Sequence, residues 1–436
     1  MKQVTAVLTL ALMLVVSGSF AADNLAEKKV LTLSQAQEIA MQNSLTIKDA
    51  SYDLEAARKK IWETTAIGLP QADAKYSFTH NPASLPEIQF DPNSPPIKIG
   101  TKSSSSITAT VSQLIFSGSY IVGLQASKTY KQIMEQSLEK TRIDVRSAVA
   151  QSYYLILLTS QTGEVLKGNL ENLNKLLNDT QKMFEKGFTE ETSVDQLSIA
   201  VNDLNISLST IQRQEQVARR LLNFQMGLEL ETQVDLTDKL EDIVRGINRE
   251  RILETQFSLE KNIDYNMTVT NIKAKKLLYK NELASYLPTI AGFYQYQKYL
   301  NDQSFNFQPT NLFGLSISLP IFSSGQRYSK VGQAKIEMSK AENAKEQVAR
   351  SLTMEYQQAK EDFNTAWEKY QNSKKSQTLA QKVLKDMTIK FNNGMASSMD
   401  LTQANDKLLQ AVSNLYNVEF ELLNAKIRLD KITNNL

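Results

Sequence analysis

Between Leu401 and Ile432, alternating steps of three and four residues land on Leu401, Ala404, Leu408, Ala411, Leu415, Val418, Leu422, Ala425, Leu429 and Ile432, all apolar. Such spacing turns one stripe of a helix toward a partner helix, as in a coiled-coil seam. The same register 207 residues earlier gives Val194, Leu197, Val201, Leu204, Leu208, Ile211, Glu215, Ala218, Leu222 and Gln225, of which eight are apolar. One long helix therefore occurs twice, and the pattern predicts an internal duplication.

Proline marks where helices cannot run. All nine prolines lie at 70–96 and 288–320, and proline breaks helix interiors. The proline-free span from Ser119 to Lys186 carries Leu166, Leu170, Leu173, Leu177 and Phe184 at its far end. As one helix it would be roughly 100 Å long, a rod rather than part of a globular core, with Gly163 and Gly168 as weak points. Gly187 supplies a turn, and the next helix returns antiparallel. An earlier helix is predicted from Ser34, with Gln37 completing a capping box. It continues through Ala36, Ala40, Ile47, Ala50, Leu54, Ala57 and Ile61, with Asn43 the polar exception, to Gly68 and Pro70. The second half repeats the order. A helix is predicted from about Asn248 to Tyr286. A long one follows to Asn393, with Leu352, Tyr356, Ala359, Phe363 and Tyr370 on one stripe, and Gly394 then makes the turn.

The proline windows read as strands. From Ala72 to His80, Asp73, Lys75, Ser77 and Thr79 alternate with Ala74, Tyr76 and Phe78. From Ser104 to Phe116, Ile107, Ala109, Val111 and Ile115 share one face and Thr108, Thr110 and Ser112 the other. A third strand carries Tyr294, Gln295, Tyr296 and Gln297, and a fourth runs from Phe313 to Ile321. The loops are 81–100 and 301–311. About ten residues of alternating polarity suit a tilted membrane strand, although a soluble sheet has the same period.

Charge and rare residues narrow the function. With 49 Lys+Arg against 47 Asp+Glu, nothing recommends nucleic acid as a partner. No cysteine and a single histidine, His80, leave no thiol chemistry, no metal-ligand cluster and no lipoprotein anchor. No catalytic constellation, cofactor motif or ATP-binding loop stands out, so an enzyme is not expected. Lys2, the apolar run from Val4 to Val16 and Ser19-Phe20-Ala21 read as an export signal over residues 1–21. No later run is long and apolar enough for a membrane helix. The mature chain then divides into a first repeat at 22–227, a short connector at 228–250 and a second repeat at 251–436. Four strands cannot close a barrel, and open strand edges are not tolerated in lipid. Copies would have to share one: two chains supply eight strands, three supply twelve.

Leu69-Pro70 and Leu287-Pro288 precede the strands of the two halves, and Ile115-Phe116-Ser117-Gly118 and Ile321-Phe322-Ser323-Ser324-Gly325 follow them. With the turns at Gly187 and Gly394, this doubled order resembles the outer membrane efflux protein family of TolC-like outer membrane factors, from about Leu31 to Leu436. The resemblance implies a mainly α fold: an antiparallel coiled-coil α-helical barrel crossing the periplasm, below a transmembrane β-barrel shared by a homotrimer with four strands per chain. It implies an exit duct in the outer membrane, embedded in its lipid, for a tripartite efflux pump or type I secretion system. A periplasmic adaptor (membrane fusion) protein and an inner-membrane transporter would be the partners. The family's periplasmic entrance maps onto Asp400 and Gln403 in the second hairpin and Ser193 and Asp195 in the first. Some relatives carry two acids where this chain has Asp400 and Gln403. Asp400 also suits a plain capping role beside Ser397 and Ser398. Gly187, Phe188, Thr189, Gly394, Met395 and Ala396 would meet the adaptor. Asp73, Lys75, Ser77 and Thr79 would line the barrel lumen, with Tyr294, Tyr296 and Tyr299 in an interfacial girdle. The competing reading is a soluble periplasmic coiled-coil scaffold or adhesin, which accounts for the helices but not for the twice-placed strands.

Overall fold

The computed structural model describes residues 29–83, 85, 87–89, 95–98, 101–301 and 309–435. The export signal lies outside the described residues, as do parts of both strand-connecting loops. The chain order is β1 (Lys29–Leu31), α1 (Leu33–Asn43), α2 (Leu45–Ala66), β2 (Gln71–His80), β3 (Glu87–Ile88), β4 (Ile97–Lys98), β5 (Ser103–Ser117), α3 (Gly118–Glu185) and α4 (Glu191–Gln225). Then come β6 (Val234–Leu236), α5 (Leu240–Arg245), α6 (Arg249–Glu254), a 3-10 turn (Leu259–Lys261), α7 (Ile263–Ala284), β7 (Thr289–Tyr299), β8 (Asn311–Ser318), α8 (Gln326–Asn392) and α9 (Ser398–Thr433). Among the described residues no helix is long and apolar enough to cross a membrane.

The proline-free spans are the long helices. α3 has 68 residues and α8 has 67, each about 100 Å at 1.5 Å per residue. α3 pairs with α4, and α8 with α9. Of the ten α9 stripe positions, nine are buried and Ala411 is half-buried. Each buried Leu or Ile contributes about 1.5–3 kcal/mol of apolar transfer, which is what holds each hairpin shut. Both hairpins turn by one device. Gly187 and Gly394 sit at φ +77° and +71°. The following residue donates back across the last turn, Phe188 N to Met183 O and Met395 N to Lys390 O, both at 2.8 Å. That is the Schellman closure, and it uses a left-handed residue that glycine adopts without strain.

The middle of the molecule carries the larger core. Tyr153, Phe363, Leu422, Leu423, Ala218 and Met226 are buried there with Leu240 and Val244 of α5. β1 pairs in parallel with β6. Asp238 Oδ2 accepts the Tyr153 hydroxyl at 2.8 Å and the Leu33 amide at 3.0 Å. β1 and the start of α1 are thus tied to the segment from Val234 to Asp238.

Two predicted helices are broken here. The first begins at Thr32, not Ser34: Thr32 and Gln35 form the capping box, because Leu31 is still held in β1. It then breaks at Ser44, whose ψ of 126° lies outside the helical range. The predicted helix from Asn248 to Tyr286 is interrupted between α6 and α7, and Asn262 caps α7. Both breaks have one cause. Short helices butt against the ends of long ones. Gly227, closing α4, lies against the Asn43 carbonyl, and Asn262 Nδ2 donates to Ile432 O, near the end of α9, at 3.1 Å.

α9 also buries a carboxyl. Glu419 is 9% exposed, and desolvation pushes it up to about 7, with Lys374 opposing and Glu241 reinforcing the shift. At pH 4 the folded and unfolded chains both keep this proton. Above the ordinary carboxylate value only the unfolded chain loses it freely, so this group's contribution to stability falls as pH rises toward 7 and stays low above it. The shift corresponds to about 3 kcal/mol. Glu419→Gln should raise Tm at pH 8 and leave it nearly unchanged at pH 4.5, read by thermal unfolding at both.

The four longer strands form one antiparallel sheet in the order β2-β5-β7-β8, and β3 pairs separately with β4. Asp73, Thr110 and Gln295 lie opposite one another, then Lys75, Thr108 and Gln297, giving a polar face. Ala72, Val111, Tyr294 and Phe313 align on the other. β5 bulges at Ile115, between Leu114 and Phe116. Tyr299 departs from the expected girdle. It lies opposite Ser106 on the polar face and its hydroxyl accepts from Gln297 Nε2 at 3.1 Å. β8 ends at Ser318, where β7, its only strand partner among the described residues, begins; the sequence alternation continues to Ile321.

Candidate functional site

Two regions carry candidate function, the sheet at one end of the helices and the hairpin tips at the other. On the sheet's apolar face Tyr76, Phe78, Ile107, Val111, Tyr294, Tyr296, Phe313, Leu315 and Ile317 are all exposed, Phe313 to 86%. An apolar face on ten-residue strands, backed by a polar face, has the dimensions and alternation of a membrane barrel wall. Asp73, Lys75, Ser77 and Thr79 share the polar face. Among the described residues both outer strands, β2 and β8, have one edge without a strand partner.

At the tips, a local core of Leu166, Leu173, Leu197, Leu204, Leu401 and Leu408 holds the hairpins together. Phe188 and Met395 occupy the same place in the two turns and are 75% and 69% exposed. Thr189 and Ala396 are half-buried beside them. Asp400 closes the start of α9: its Oδ2 accepts from Ser397 N at 3.0 Å and Ser397 Oγ at 2.7 Å, and Asp400 N donates to Ser397 Oγ at 3.1 Å. Those bonds hold its carboxyl below the usual range while leaving it open to solvent. Gln403 and Asp195 are exposed.

The two tips are joined through Ser398. Its hydroxyl donates to Gln196 Oε1 at 2.7 Å and shares a 3.2 Å hydrogen bond with Ser193. Asn169 Nδ2 donates to Asn405 Oδ1 at 2.8 Å in a buried pair between α3 and α9. Among the described residues Asn405 Nδ2 and Thr402 Oγ1 are buried without a partner. Ser398, Thr402 and Asn405 stand at i, i+4 and i+7 on one face of α9; Ser398 and Asn405 carry polar bonds to the other hairpin, while Leu401 and Leu408 join the leucine cluster beside them. Buried polar pairs fix register at a cost in stability. Sequence reasoning missed the Asn169–Asn405 pair. It placed the α3 stripe on Leu166, Leu170, Leu173, Leu177 and Phe184; Leu166 and Leu173 are buried and the other three half-buried, and Asn169, Leu176 and Thr180 complete the buried face. Beside this seam is a groove of about 640 Å³ lined by Asn172, Leu176, Gln381 and Thr388.

Comparison with known proteins gives the architecture a family. The VceC outer membrane protein of Vibrio cholerae superposes with a TM-score of 0.71 at 18% identity, over 92% of this chain and 95% of that one. The CmeC outer membrane channel of Campylobacter jejuni gives 0.72 at 16%, over 92% and 85%. The open state of the MtrE outer membrane channel of Neisseria gonorrhoeae gives 0.72 at 15%, over 92% and 88%. At such identities the likeness concerns the fold. No curated protein sequence matches significantly. The family model for outer membrane efflux protein matches residues 36–228 and 258–435. Nearly the whole helical and strand framework is inside that match, and the chain belongs to the outer membrane efflux protein family.

Proposed function

We propose that this outer-membrane efflux protein is the passive exit duct of a tripartite efflux pump or type I secretion system, built from three copies of the chain. The observation that carries the reading is the four-stranded sheet with one exposed apolar face and, among the described residues, two open edges. Open edges are too costly in hydrocarbon to persist, so the sheet must be completed by other copies. Three copies give twelve strands, wide enough to leave a lumen lined by Asp73, Lys75, Ser77 and Thr79. The helical trunk then lies in the periplasm. The chain has no nucleotide-binding loop, so energy comes from the inner-membrane transporter through a periplasmic adaptor. Phe188 and Met395, exposed beside Gly187, Thr189, Gly394 and Ala396, supply the apolar contact for that adaptor at the tips.

Gating follows from the same geometry. The hairpins meet through the polar pairs Ser398–Gln196 and Asn169–Asn405 as well as through the leucine cluster at the tips, and buried polar pairs hold less firmly than the apolar seam within each hairpin. Opening therefore separates one hairpin from the other and leaves each hairpin intact. Asp400, repeated by symmetry with Ser193, Asp195 and Gln403 nearby, favours cations at the entrance. Asp400→Asn should lower the cation-to-anion permeability ratio severalfold in planar bilayers; an unchanged ratio would leave Asp400 as a helix cap alone. The reading as a whole is tested by extraction. The duct should stay with membranes through salt and urea washes, require detergent, and conduct ions when reconstituted. Release by urea without detergent would defeat it.

A further inference from the structure

The internal duplication carries information about a contact that no single copy contains. Leu69-Pro70 and Leu287-Pro288 align Gln71 with Thr289, and Ile115-Phe116 and Ile321-Phe322 align Ser112 with Ser318. The pairing obeys both alignments: Gln71 lies opposite Ser112 in β2–β5, and Thr289 opposite Ser318 in β7–β8. The two strand pairs thus share one register to the residue.

The β5–β7 ladder joins the second strand of one repeat to the first strand of the next. Closure of a shared barrel needs the same kind of joint again, from β8 of one copy to β2 of its neighbour. In β5–β7, Thr110 faces Gln295, Val111 faces Tyr294 and Ala109 faces Tyr296. Carried through the repeat, Thr110 becomes Ser316 and Gln295 becomes Ser77. Resting on the shared-barrel reading above, we infer that β8 pairs with the neighbouring β2 so that Ser316 faces the partner's Ser77, Ile317 the partner's Tyr76 and Leu315 the partner's Phe78.

The backbone supports this independently. Asn81 N donates to Lys102 O at 2.8 Å, continuing the β2–β5 ladder. Antiparallel bonds alternate along a strand, so odd-numbered residues of β2 bond to β5 and even-numbered ones, Tyr76 and Phe78 among them, turn their amides and carbonyls to the free edge. Gln297 N donates to Thr310 O at 2.8 Å, continuing β7–β8. Odd-numbered residues of β8, Leu315 and Ile317 among them, therefore face the other free edge. The inferred register brings free groups to free groups and apolar side chains to apolar side chains. A slip of one residue would break both matches. Pro320 falls among the even-numbered positions, so its missing N–H removes no bond to the partner. β8 can then run on to Ile321 in the assembly, as its alternation predicts.

A slip of two residues keeps both matches, and disulfide trapping separates it. The chain has no cysteine of its own. Ser316 and the partner's Ser77 form a non-hydrogen-bonded pair, with Cα atoms about 4.5 Å apart, inside disulfide range. Diagonal neighbours are about 7–8 Å apart, outside it. Within one chain the two sites are three strand spacings apart and also offset along the sheet, Ser77 level with Tyr299 and Ser316 with Ala291, far beyond disulfide reach, so any bond must join copies. The variant Ser316→Cys with Ser77→Cys should give covalent dimers and trimers on mild oxidation in membranes. Ser316→Cys with Thr79→Cys, or with Lys75→Cys, should give at least tenfold less. Native mass in detergent under reducing conditions checks assembly of each variant. A bond favouring an offset pair overturns the register and leaves the shared barrel standing. No bond at any pair in a three-copy particle overturns the edge-to-edge contact. A single-copy mass for the unmodified chain overturns the shared barrel itself.

Discussion

Gly227→Ala is expected to destabilise the trunk by about 3 kcal/mol or more, against about 1 kcal/mol for Gly187→Ala. Both glycines close a long helix with positive φ, +68° and +77°. Their surroundings differ. A Cβ on Gly187 meets nothing within 4 Å, whereas one on Gly227 lies 2.4 Å from Asn43 O and 2.7 Å from its carbonyl carbon. Those are backbone atoms and cannot rotate aside. The Ala side chain would push α4 away from the break between α1 and α2 at Asn43 and Ser44, opening the end-on joint there. Tm of the detergent-extracted particle should fall strongly for Gly227→Ala and slightly for Gly187→Ala. Equal losses would mean that the joint is loose and that only the left-handed backbone matters.

Leu401→Ala should loosen the tips at a local cost of about 2–5 kcal/mol. Leu401 is fully buried in the first turn of α9. Its cluster, with Leu197, Leu204 and Phe391, is separate from the core in the middle of the molecule. Instability created there is absorbed by opening of the tips before the trunk unfolds. Under the proposed gating, single-channel conductance should rise severalfold while the Tm of the trunk changes little. A variant whose tips are loosened, shown by faster proteolysis near Gly187 and Gly394, but whose conductance is unchanged would remove the tips as the constriction.

The parts of the fold legible in the sequence were those set by local rules. Nine prolines in two windows delimit the long helices. The stripe from Leu401 to Ile432 names the buried face of α9, and alternation from Ala72 to His80 separates the faces of β2. What escaped depends on contacts distant in the chain. Thr32-x-x-Gln35 and Ser34-x-x-Gln37 are equally good capping boxes, and only the pairing of Leu31 with Leu236 selects the first. The breaks at Ser44 and before Ile263 come from other helices ending there. Asn405 sits beside Ala404 in the stripe and reads as a solvated neighbour until Asn169 is placed against it. At the candidate entrance the sequence located Asp400 and Ser193, but the contact between the tips runs through Ser398 and Gln196. Asp400 is held by Ser397 as a helix cap, with its charge still facing solvent.

The central claim is that several copies complete one barrel. Its most direct test is the native mass of the mature protein extracted in mild detergent, with bound detergent subtracted. The account predicts three copies per particle, closing twelve strands. A stable particle of one copy would contradict it, and one of two copies would leave an eight-stranded barrel but contradict the three-copy duct.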